Sequence, residues 1–391
     1  MHKTAVRCAI AVGMVFAAGI ALTACSSSAT PASTGSAAAA GGVDLSGVCP
    51  ATVKIQTDWN PEADHGHLYQ LLGPNPVINA DQKSVTGDLY AKGKSTGVKV
   101  EILSGGPAIG YQTVSSELYK DKSIMLAYIS TDEAVQLSAT LPTTAVFAEN
   151  DISPQMVMWD PATYPKVTTI KELAAALKSS GGVVRYFNGA AYMGYLQGSG
   201  ILSAAQTDGS YDGTPAKFVT AKGKDGQQGF ATAEPYIYGN EVSAWNKPVN
   251  FQLINDTGYP IYPEAVSVRT ADLSKDSACL KKLVPVLQQA DVDYITTPAK
   301  TNTLITQLVT AYNNGWVYDD NVANYAVKEM KKLKIATNGV NAYVGDMQES
   351  RIQKVMDIDT PLFAKTGSAP KAGLKATELF TNEFIDKTIG F

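Results

Sequence analysis

Charged residues are scarce in this 391-residue chain: they make up 17% of it, and the formal net charge is −4. Proteins that bind nucleic acid usually present a strongly basic face. With 32 Lys and Arg against 36 Asp and Glu, the composition gives no electrostatic reason for such a partner. We therefore expect no nucleic-acid partner.

Histidine is rarer still, and only His65 and His67 lie beyond the N-terminal leader. The His-x-His spacing beside Asp64 occurs in metal sites. A closed zinc site, however, would need three ligands from this one turn or carboxylates from distant segments. The sequence also contains no Walker motif for phosphate binding. We therefore expect no metal, no cofactor and no catalytic residue.

Long apolar runs are confined to the N-terminus. Residues 1–24 combine early basic residues with an apolar run that is short for a bilayer span, and they are typical of a secretory signal peptide. They end in Leu-Thr-Ala before Cys25, which resembles a bacterial lipobox; the alternative is an ordinary signal peptide cut elsewhere. Residues 25–48 are mostly small and uncharged and predict a flexible tether. We therefore expect a protein anchored by lipid at the extracytoplasmic face of the cell membrane.

Cysteine is also scarce, with four residues in the chain. Cys8 falls in the signal peptide and Cys25 is assigned to lipid, so Cys49 and Cys279 are the remaining pair. In an oxidising compartment two such thiols are more often bridged than free. We predict a Cys49–Cys279 disulfide, with two buried thiols as the alternative.

Strand-like and helix-like segments alternate along the mature chain, which favours a parallel sheet. The chain is too long for one ordinary core, so we expect two domains. The predicted strands include residues 53–56, 98–103, 123–129, 218–219, 249–254 and 264–269. A helix is predicted over residues 168–178, with a Thr cap and Glu172 near its third position. We predict lobe 1 from residues 49–145 and 255–391, and lobe 2 from residues 146–254.

The most informative segment is VKIQTDWNPEADHGHLY, residues 53–69. An aromatic ring, a carboxylate and two imidazoles follow the C-terminal end of a strand, where ligands bind in open α/β sheets. We interpret Trp59 as one wall of a small-ligand site. The alternative is core packing, which is usual for large aromatic side chains. His65 and Tyr69 are further candidates with the same alternative.

Candidate ligand contacts also occur later in the chain. The Gly105-Gly106 pair ends a strand, where glycine permits close approach of a ligand or simply a tight turn. Asn188 and Tyr192 stand at a helix start, which offers free N–H groups to a polar ligand. Glu234 and Tyr236 follow a short apolar segment. Glu234 is either an acceptor for N–H groups of a ligand or a solvated charge.

These segments resemble the NMT1/THI5-like group of solute-binding proteins, which is similar to sulfonate- and nitrate-binding proteins. The opening motif of that group runs D-W-x-P-N-x-x-H-x-G-x-Y. The residues that match it are Asp58, Trp59, Pro61, His65 and Tyr69. Glu62 replaces the Asn of the motif, and His67 replaces the Gly. Glu234-Pro235 resembles a later T-S-E-P-P segment, and residues 345–351 resemble a late helix start.

The resemblance implies a type II periplasmic-binding-protein fold, an α/β fold in which two lobes are joined by two crossover strands around a ligand cleft. It further implies that Trp59 and Tyr69 stack on a heteroaromatic ring and that Glu234 accepts hydrogen bonds from it. The expected protein is a monomeric solute-binding lipoprotein that delivers a pyrimidine-precursor-like solute to the permease and ATPase of an ABC importer.

Three other functions stay open. One is a binder of a sulfonate, nitrate or another organic anion, and a second is a sensory ligand-binding lipoprotein. The third is an enzyme similar to pyrimidine-precursor synthases. The export signal and the lack of a cysteine cluster disfavour an enzyme.

Overall fold

The computed structural model describes residues 42–391. The predicted signal peptide, Cys25 and residues 25–41 of the predicted tether lie outside the described residues. The strands are β1 (Thr52–Gln56), β2 (Val77–Asn79), β3 (Ser84–Ala91), β4 (Lys94–Leu103), β5 (Ile124–Ile129), β6 (Thr143–Ala148), β7 (Gln155–Trp159), β8 (Val184–Arg185), β9 (Thr207–Asp208), β10 (Gly226–Phe230), β11 (Asn250–Leu253) and β12 (Ala265–Arg269).

Helices cover the sheets and make up most of the last third of the chain. They are α1 (Gly66–Gln70), α2 (Val114–Lys120), α3 (Thr131–Gln136), α4 (Ile170–Ser180), α5 (Ala191–Gly198), α6 (Ala216–Thr220), α7 (Glu234–Asn240), α8 (Leu273–Thr296), α9 (Ala299–Tyr312), α10 (Asp320–Lys332), α11 (Glu349–Lys365) and α12 (Ala376–Leu379). Over residues 42–391, no helix is both long and apolar enough to cross a bilayer.

The strands form two separate sheets. The larger has seven strands in the order β2-β3-β4-β1-β5-β12-β6, and the smaller has five in the order β11-β7-β10-β8-β9. We refer to the bodies built on them as lobe 1 and lobe 2. At the centre of lobe 1, β1 pairs in parallel with β4 and β5, as the strand–helix alternation predicts. All residues of β5 are buried, as expected for a strand covered on both faces.

The parallel pairing of β1 and β5 places the candidate ligand-binding residues at one edge of the lobe 1 sheet. Because β1 and β5 are adjacent and parallel, their carboxyl ends meet at the same edge of the lobe 1 sheet. The Asp58-Trp59 segment follows β1, and Asp132 follows β5 at the start of α3. This edge faces lobe 2, so both segments border the space between the lobes.

The chain passes between the lobes twice. Residues 149–154 connect β6 of lobe 1 to β7 of lobe 2, and residues 254–264 connect β11 of lobe 2 to β12 of lobe 1. The expected domain boundaries at 145/146 and 254/255 stay predictions. The β6 strand itself extends to Ala148 within the lobe 1 sheet.

Two local features differ from what the sequence predicts. Residues 216–220 form helix α6 rather than a strand, because Phe218 turns inward and packs edge-on against Tyr238 and Trp245. An isolated apolar pair does not distinguish a strand from one helical turn. Strand β3 lies in a segment for which we predicted no strand.

The predicted disulfide is confirmed: Cys49 is bonded to Cys279, and their Cα atoms are 4.7 Å apart. The bond joins the start of the described chain to α8. The end of the predicted tether is packed rather than free. Leu45 is fully buried, and its N–H donates to the carbonyl oxygen of Thr96 at 2.9 Å. The packed body therefore begins before Cys49, because Leu45 supplies an apolar side chain to the lobe 1 core.

Candidate functional site

Three adjoining cavities lie between the lobes. The first, which we call the aromatic cavity, has a volume of about 170 Å³ and is bordered by Trp59 of lobe 1 and Phe187 of lobe 2. A second cavity of about 220 Å³ shares Asp58 with it and extends to Asp132. A third of about 270 Å³ shares Glu234 with it and opens toward Glu241. Together they form a continuous cleft with walls from both lobes.

Trp59 is held in place by the glycine pair at the end of β4. The N–H of Gly105 donates to the carbonyl oxygen of Trp59 at 2.9 Å, and that of Gly106 donates to the carbonyl oxygen of Asp58 at 2.8 Å. A Cβ on Gly106 would lie 2.6 Å from Cε3 of the Trp59 ring, and its φ is +55°. Only glycine therefore fits this position without moving the ring.

Five aromatic side chains line the aromatic cavity: those of Trp59, Phe187, Tyr211, Phe230 and Trp316. The centroid of Trp59 lies 5.9 Å from that of Phe187 and 6.1 Å from that of Trp316, with the two indoles edge-on. Tyr211 packs against Phe187 at 4.8 Å. Phe187 follows β8 and Trp316 lies between α9 and α10, so distant segments of the chain build one aromatic wall.

Three carboxyl groups line the same cavity: those of Asp58, Glu62 and Glu234. Glu62 is 2% exposed, and its Oε1 has no hydrogen-bond partner. Burial, followed by the charges of Asp64 and Asp58, raises the pKa of Glu62 well above its usual value. Oε2 of Glu234 accepts a hydrogen bond from the N–H of Phe230 at 2.7 Å, yet burial raises the pKa of Glu234 to about 7.

His65 and His67 lie behind this wall, fully buried. Nε2 of His65 is 2.9 Å from Oδ1 of Asp58 and 4.0 Å from Oε1 of Glu264. Burial alone lowers the pKa of His65, but the hydrogen bond to Asp58 and the nearby carboxylates outweigh it, so the pKa is raised. Nδ1 of His67 contacts Glu149, and burial lowers the pKa of His67 well below its usual value.

The two histidines thus connect the first motif to both interlobe connections. Glu149 directly follows β6, and Glu264 directly precedes β12. The hydroxyl of Tyr128 donates to Glu149 at 2.7 Å, and the side-chain amide of Asn150 donates to Glu264 at 2.6 Å. This buried polar network therefore connects the segment from Asp58 to His67 with both chain segments that join the lobes.

One group of side chains could hold a metal ion. The ligand atoms of Asp58, His65 and Glu264 all lie within 4.8 Å of one another. Metal-bound imidazoles usually donate their second ring N–H to an oxygen, which fixes the ring. Nδ1 of His65 has no partner, and Nε2 already contacts Asp58. We therefore assign no metal to this group.

The structure brings together some of the residues predicted from the sequence. Trp59, Tyr192 and Glu234 line the cavities, and the hydroxyl of Tyr192 donates to Gln228 at 2.5 Å. The others lie elsewhere. His65 is behind Asp58, Tyr69 is in the lobe 1 core, Gly105 and Gly106 support Trp59, Asn188 is exposed, and Tyr236 packs against Tyr325.

Several residues of the aromatic wall are not among the ligand contacts predicted from the sequence. These are Phe187, Tyr211, Phe230 and Trp316, along with the carboxyl group of Glu62. Phe187 directly precedes Asn188, which the sequence predicts as a ligand contact. The prediction therefore names the right segment but the wrong side chain. Nothing in the local sequence around Trp316 distinguishes it from a core aromatic.

A larger cavity of about 490 Å³ lies on lobe 1, away from the cleft. It is bordered by α8 and the β3–β4 turn, with Lys92, Lys282 and Asp293 among its lining residues. No residue of lobe 2 contributes to it. A ligand bound in this cavity would therefore contact lobe 1 alone.

No family model and no curated protein matches this chain. Solved structures do match. The nitrate-binding protein NrtA of Synechocystis PCC 6803 aligns over 85% of this chain and 87% of its own, with 12% identity and a TM-score of 0.54. The sulfonate-binding protein SsuA of Escherichia coli aligns over 83% and 90%, with 12% identity and a TM-score of 0.52.

The SsuA of Xanthomonas axonopodis pv. citri, solved with MOPS bound, aligns over 85% of this chain and 99% of its own, with 12% identity and a TM-score of 0.51. This chain has the periplasmic-binding-protein fold. The predicted arrangement of two α/β lobes is thereby confirmed. At these identities the likeness concerns the fold, and the solute has to be argued from the cleft.

Proposed function

We propose that the protein is an extracytoplasmic solute-binding lipoprotein of an ABC importer and binds a planar, heteroaromatic solute in the cleft. The observation that carries the proposal is the aromatic cavity between the lobes, where Trp59 faces Phe187 and Trp316. Small-ligand sites commonly combine apolar walls with a few polar groups that fix orientation. Here the rings bury the faces of the solute, and Glu234 accepts a hydrogen bond from its edge.

Binding of the solute closes the lobes. The two connections at residues 149–154 and 254–264 allow one lobe to move relative to the other. A ligand that contacts both lobes favours the closed form because it binds that form more tightly than the open form. The closed form is what the permease recognises, and the partner ATPase drives import. Cys25 carries the lipid anchor, and the protein acts as a monomer.

A small inorganic or organic anion is a second candidate solute, since two of the neighbouring folds are named for sulfonate and nitrate binding. Anion sites usually contain Arg, Lys or a set of free N–H groups. The residues that line the three cavities include neither Arg nor Lys within the described chain. The start of α5 borders one cavity at Ala190 and Ala191, but no cationic side chain of the described residues lines that cavity, so the lining favours the planar solute over an anion.

A thermal-shift screen of the purified full-length protein tests this proposal. The compounds are pyrimidines, thiamine and flavin precursors, aromatic acids, alkanesulfonates and nitrate. A ligand that binds only the folded state raises the midpoint of thermal unfolding by mass action. We expect planar heteroaromatic compounds to raise it. A rise with sulfonates or nitrate alone would contradict the proposal.

A further inference from the structure

Within residues 42–391, the Asp and Glu side chains that line the cleft have no basic side chain among them. Five acidic side chains line the three cavities: Asp58, Glu62, Asp132, Glu234 and Glu241. No Lys or Arg from the described part of the chain lines any of them. The nearest imidazole, that of His65, is fully buried behind Asp58 and does not border the cavities. A solute in the cleft thus meets acidic groups from both lobes.

One of these acidic groups has an oxygen without a hydrogen bond: Oε1 of Glu62 lies 3.9 Å from Nε2 of His65, beyond hydrogen-bond distance. Glu62 is almost completely buried, it borders the aromatic cavity, and its Oε1 accepts no hydrogen bond. Leaving a buried polar atom without a hydrogen bond is unfavourable. A positively charged or N–H-donating group in the cavity would supply the missing partner. A neutral group without a donor would not, and an anion would not pair with the ionised form of the carboxyl.

The aromatic rings favour the same kind of ligand. The faces of Trp and, more weakly, Tyr and Phe carry negative electrostatic potential and attract cations. In the aromatic cavity, the Trp59 ring lies 5.9 Å from that of Phe187 and 6.1 Å from that of Trp316, and Tyr211 lies 4.8 Å from Phe187. A positively charged ring in the cavity, packed against these side chains, would gain both apolar contact and this attraction.

We propose that the solute is an organic cation, a planar heteroaromatic compound whose positive charge lies next to Glu62 and Glu234. This inference rests on the proposed function and names the charge of its solute. The five acidic groups, the unpaired Oε1 of Glu62 and the cluster of aromatic rings each favour a cation. None of them favours a sulfonate or nitrate.

The cation also competes with protons for Glu234. At its raised pKa of about 7, this carboxyl is partly protonated near neutral pH, and a bound cation favours the ionised form. The titratable groups that face Glu234 from the packed elements are Glu62, Asp64, Tyr211, Tyr238 and Tyr325. Burial raises the pKa of each of these tyrosines, so they stay neutral here. Affinity for the cation therefore rises from pH 6 to pH 8.

A series of ring compounds that differ mainly in charge tests the inference. The probes are nicotinamide, its N-methylated cation and nicotinate, along with the neutral, N-methylated and carboxylate forms of quinoline. Each is titrated into the purified full-length protein at pH 8 by calorimetry. We expect the N-methylated cation of at least one ring to bind at least about tenfold more tightly than its neutral form, and the carboxylate to bind most weakly.

Two variants then test the carboxyl group. Glu234→Gln keeps the shape of the side chain and should weaken binding of the cation about tenfold, remove the rise with pH and leave the neutral form unaffected. Glu383→Gln changes an exposed acid that lines none of the cavities and serves as the control. Preferential binding of a neutral or anionic form would overturn the inference while leaving the planar solute intact. Failure of every planar probe to bind would overturn the proposed function as well.

Discussion

The ring centroids of Trp59 and Phe187 lie 5.9 Å apart, although one ring belongs to lobe 1 and the other to lobe 2. Trp59 follows β1 and Phe187 follows β8. Thr232 of lobe 2 also donates its hydroxyl hydrogen to Oδ2 of Asp64 in lobe 1 at 2.6 Å. These contacts join the two walls of the cleft, so a change in either wall should affect binding.

Phe187 and Tyr236 provide a direct contrast between the structure and the ligand contacts predicted from the sequence. Phe187 lines the aromatic cavity, whereas Tyr236 packs against Tyr325 and lines none of the three cavities. We expect Phe187→Ala to weaken solute binding by about 1–2 kcal/mol, because an aromatic contact is lost. Tyr236→Ala should leave the dissociation constant unchanged. Calorimetric titration of both variants checks this, and a loss of affinity only in Tyr236→Ala would contradict our assignment of the wall.

The glycine beside Trp59 should be required for binding. In Gly106→Ala the new Cβ would clash with the Trp59 ring at 2.6 Å. We expect this variant to bind solute at least about tenfold more weakly, because the ring has to move. Gly110→Ala is the matched control, because its φ is also positive, at +63°, but nothing lies within 4 Å of its Cβ. Both variants should lose stability from backbone strain, and equal affinities in the two would refute the positioning role of Gly106.

Stability should fall as the pH rises from about 5 to 8. Burial is the first cause that raises the pKa of Asp64 to about 6, of Glu133 and Glu234 to about 7, and of Asp359 to about 8. The folded state therefore binds more protons than the unfolded state across this range, and its stability is lost as these groups ionise. His67 opposes the trend, because its pKa is lowered in the folded state.

We expect the free energy of unfolding to drop by about 2 kcal/mol or more between pH 5.5 and pH 8. Denaturant titrations at several pH values measure it. Glu234→Gln should flatten part of the slope and should be more stable than the wild type at pH 8. A free energy of unfolding that rises toward pH 8 would show that these buried carboxyl groups do not dominate.

The Cys49–Cys279 bond should stabilise lobe 1 without affecting the cleft. It joins the start of the described chain to α8, and neither cysteine lines the three cavities. We expect the double variant Cys49→Ser, Cys279→Ser to lose about 2–4 kcal/mol of stability, with an unchanged dissociation constant below its melting temperature. Reductant should also lower the midpoint of thermal unfolding of the wild type, because it breaks the same bond. A wild-type midpoint that does not respond to reductant would argue against the bond.

The local features that identify the fold could be predicted from the sequence. The apolar run 124–129 forms a buried central strand, and the Thr169 and Glu172 side chains form a capping box at the start of α4. The position of Trp59 after β1 also follows from the alternation of apolar residues and the proline that ends it. These features depend on a few neighbouring residues, so a short stretch of sequence is sufficient to reveal them.

The rest of the candidate site depends on contacts between distant segments. Tyr69 resembles a ligand contact in the motif, but α1 packs so closely on α8 that a Cβ on Gly66 would lie 2.0 Å from Tyr294. This packing holds Tyr69 in the core. Trp316 reaches the cavity because the connection between α9 and α10 passes beside Trp59. Neither position is visible in the sequence, because each is set by the packing of helices far apart in the chain.

The dissociation constant of a solute for the wild type and for Trp59→Leu most directly tests whether the protein binds its solute in this cleft. The solute is the tightest binder found among the planar compounds, and Leu keeps an apolar side chain without the ring. We predict binding at least about tenfold weaker in Trp59→Leu, with most of the affinity retained in Trp59→Phe. Equal dissociation constants in the wild type and Trp59→Leu would contradict the account.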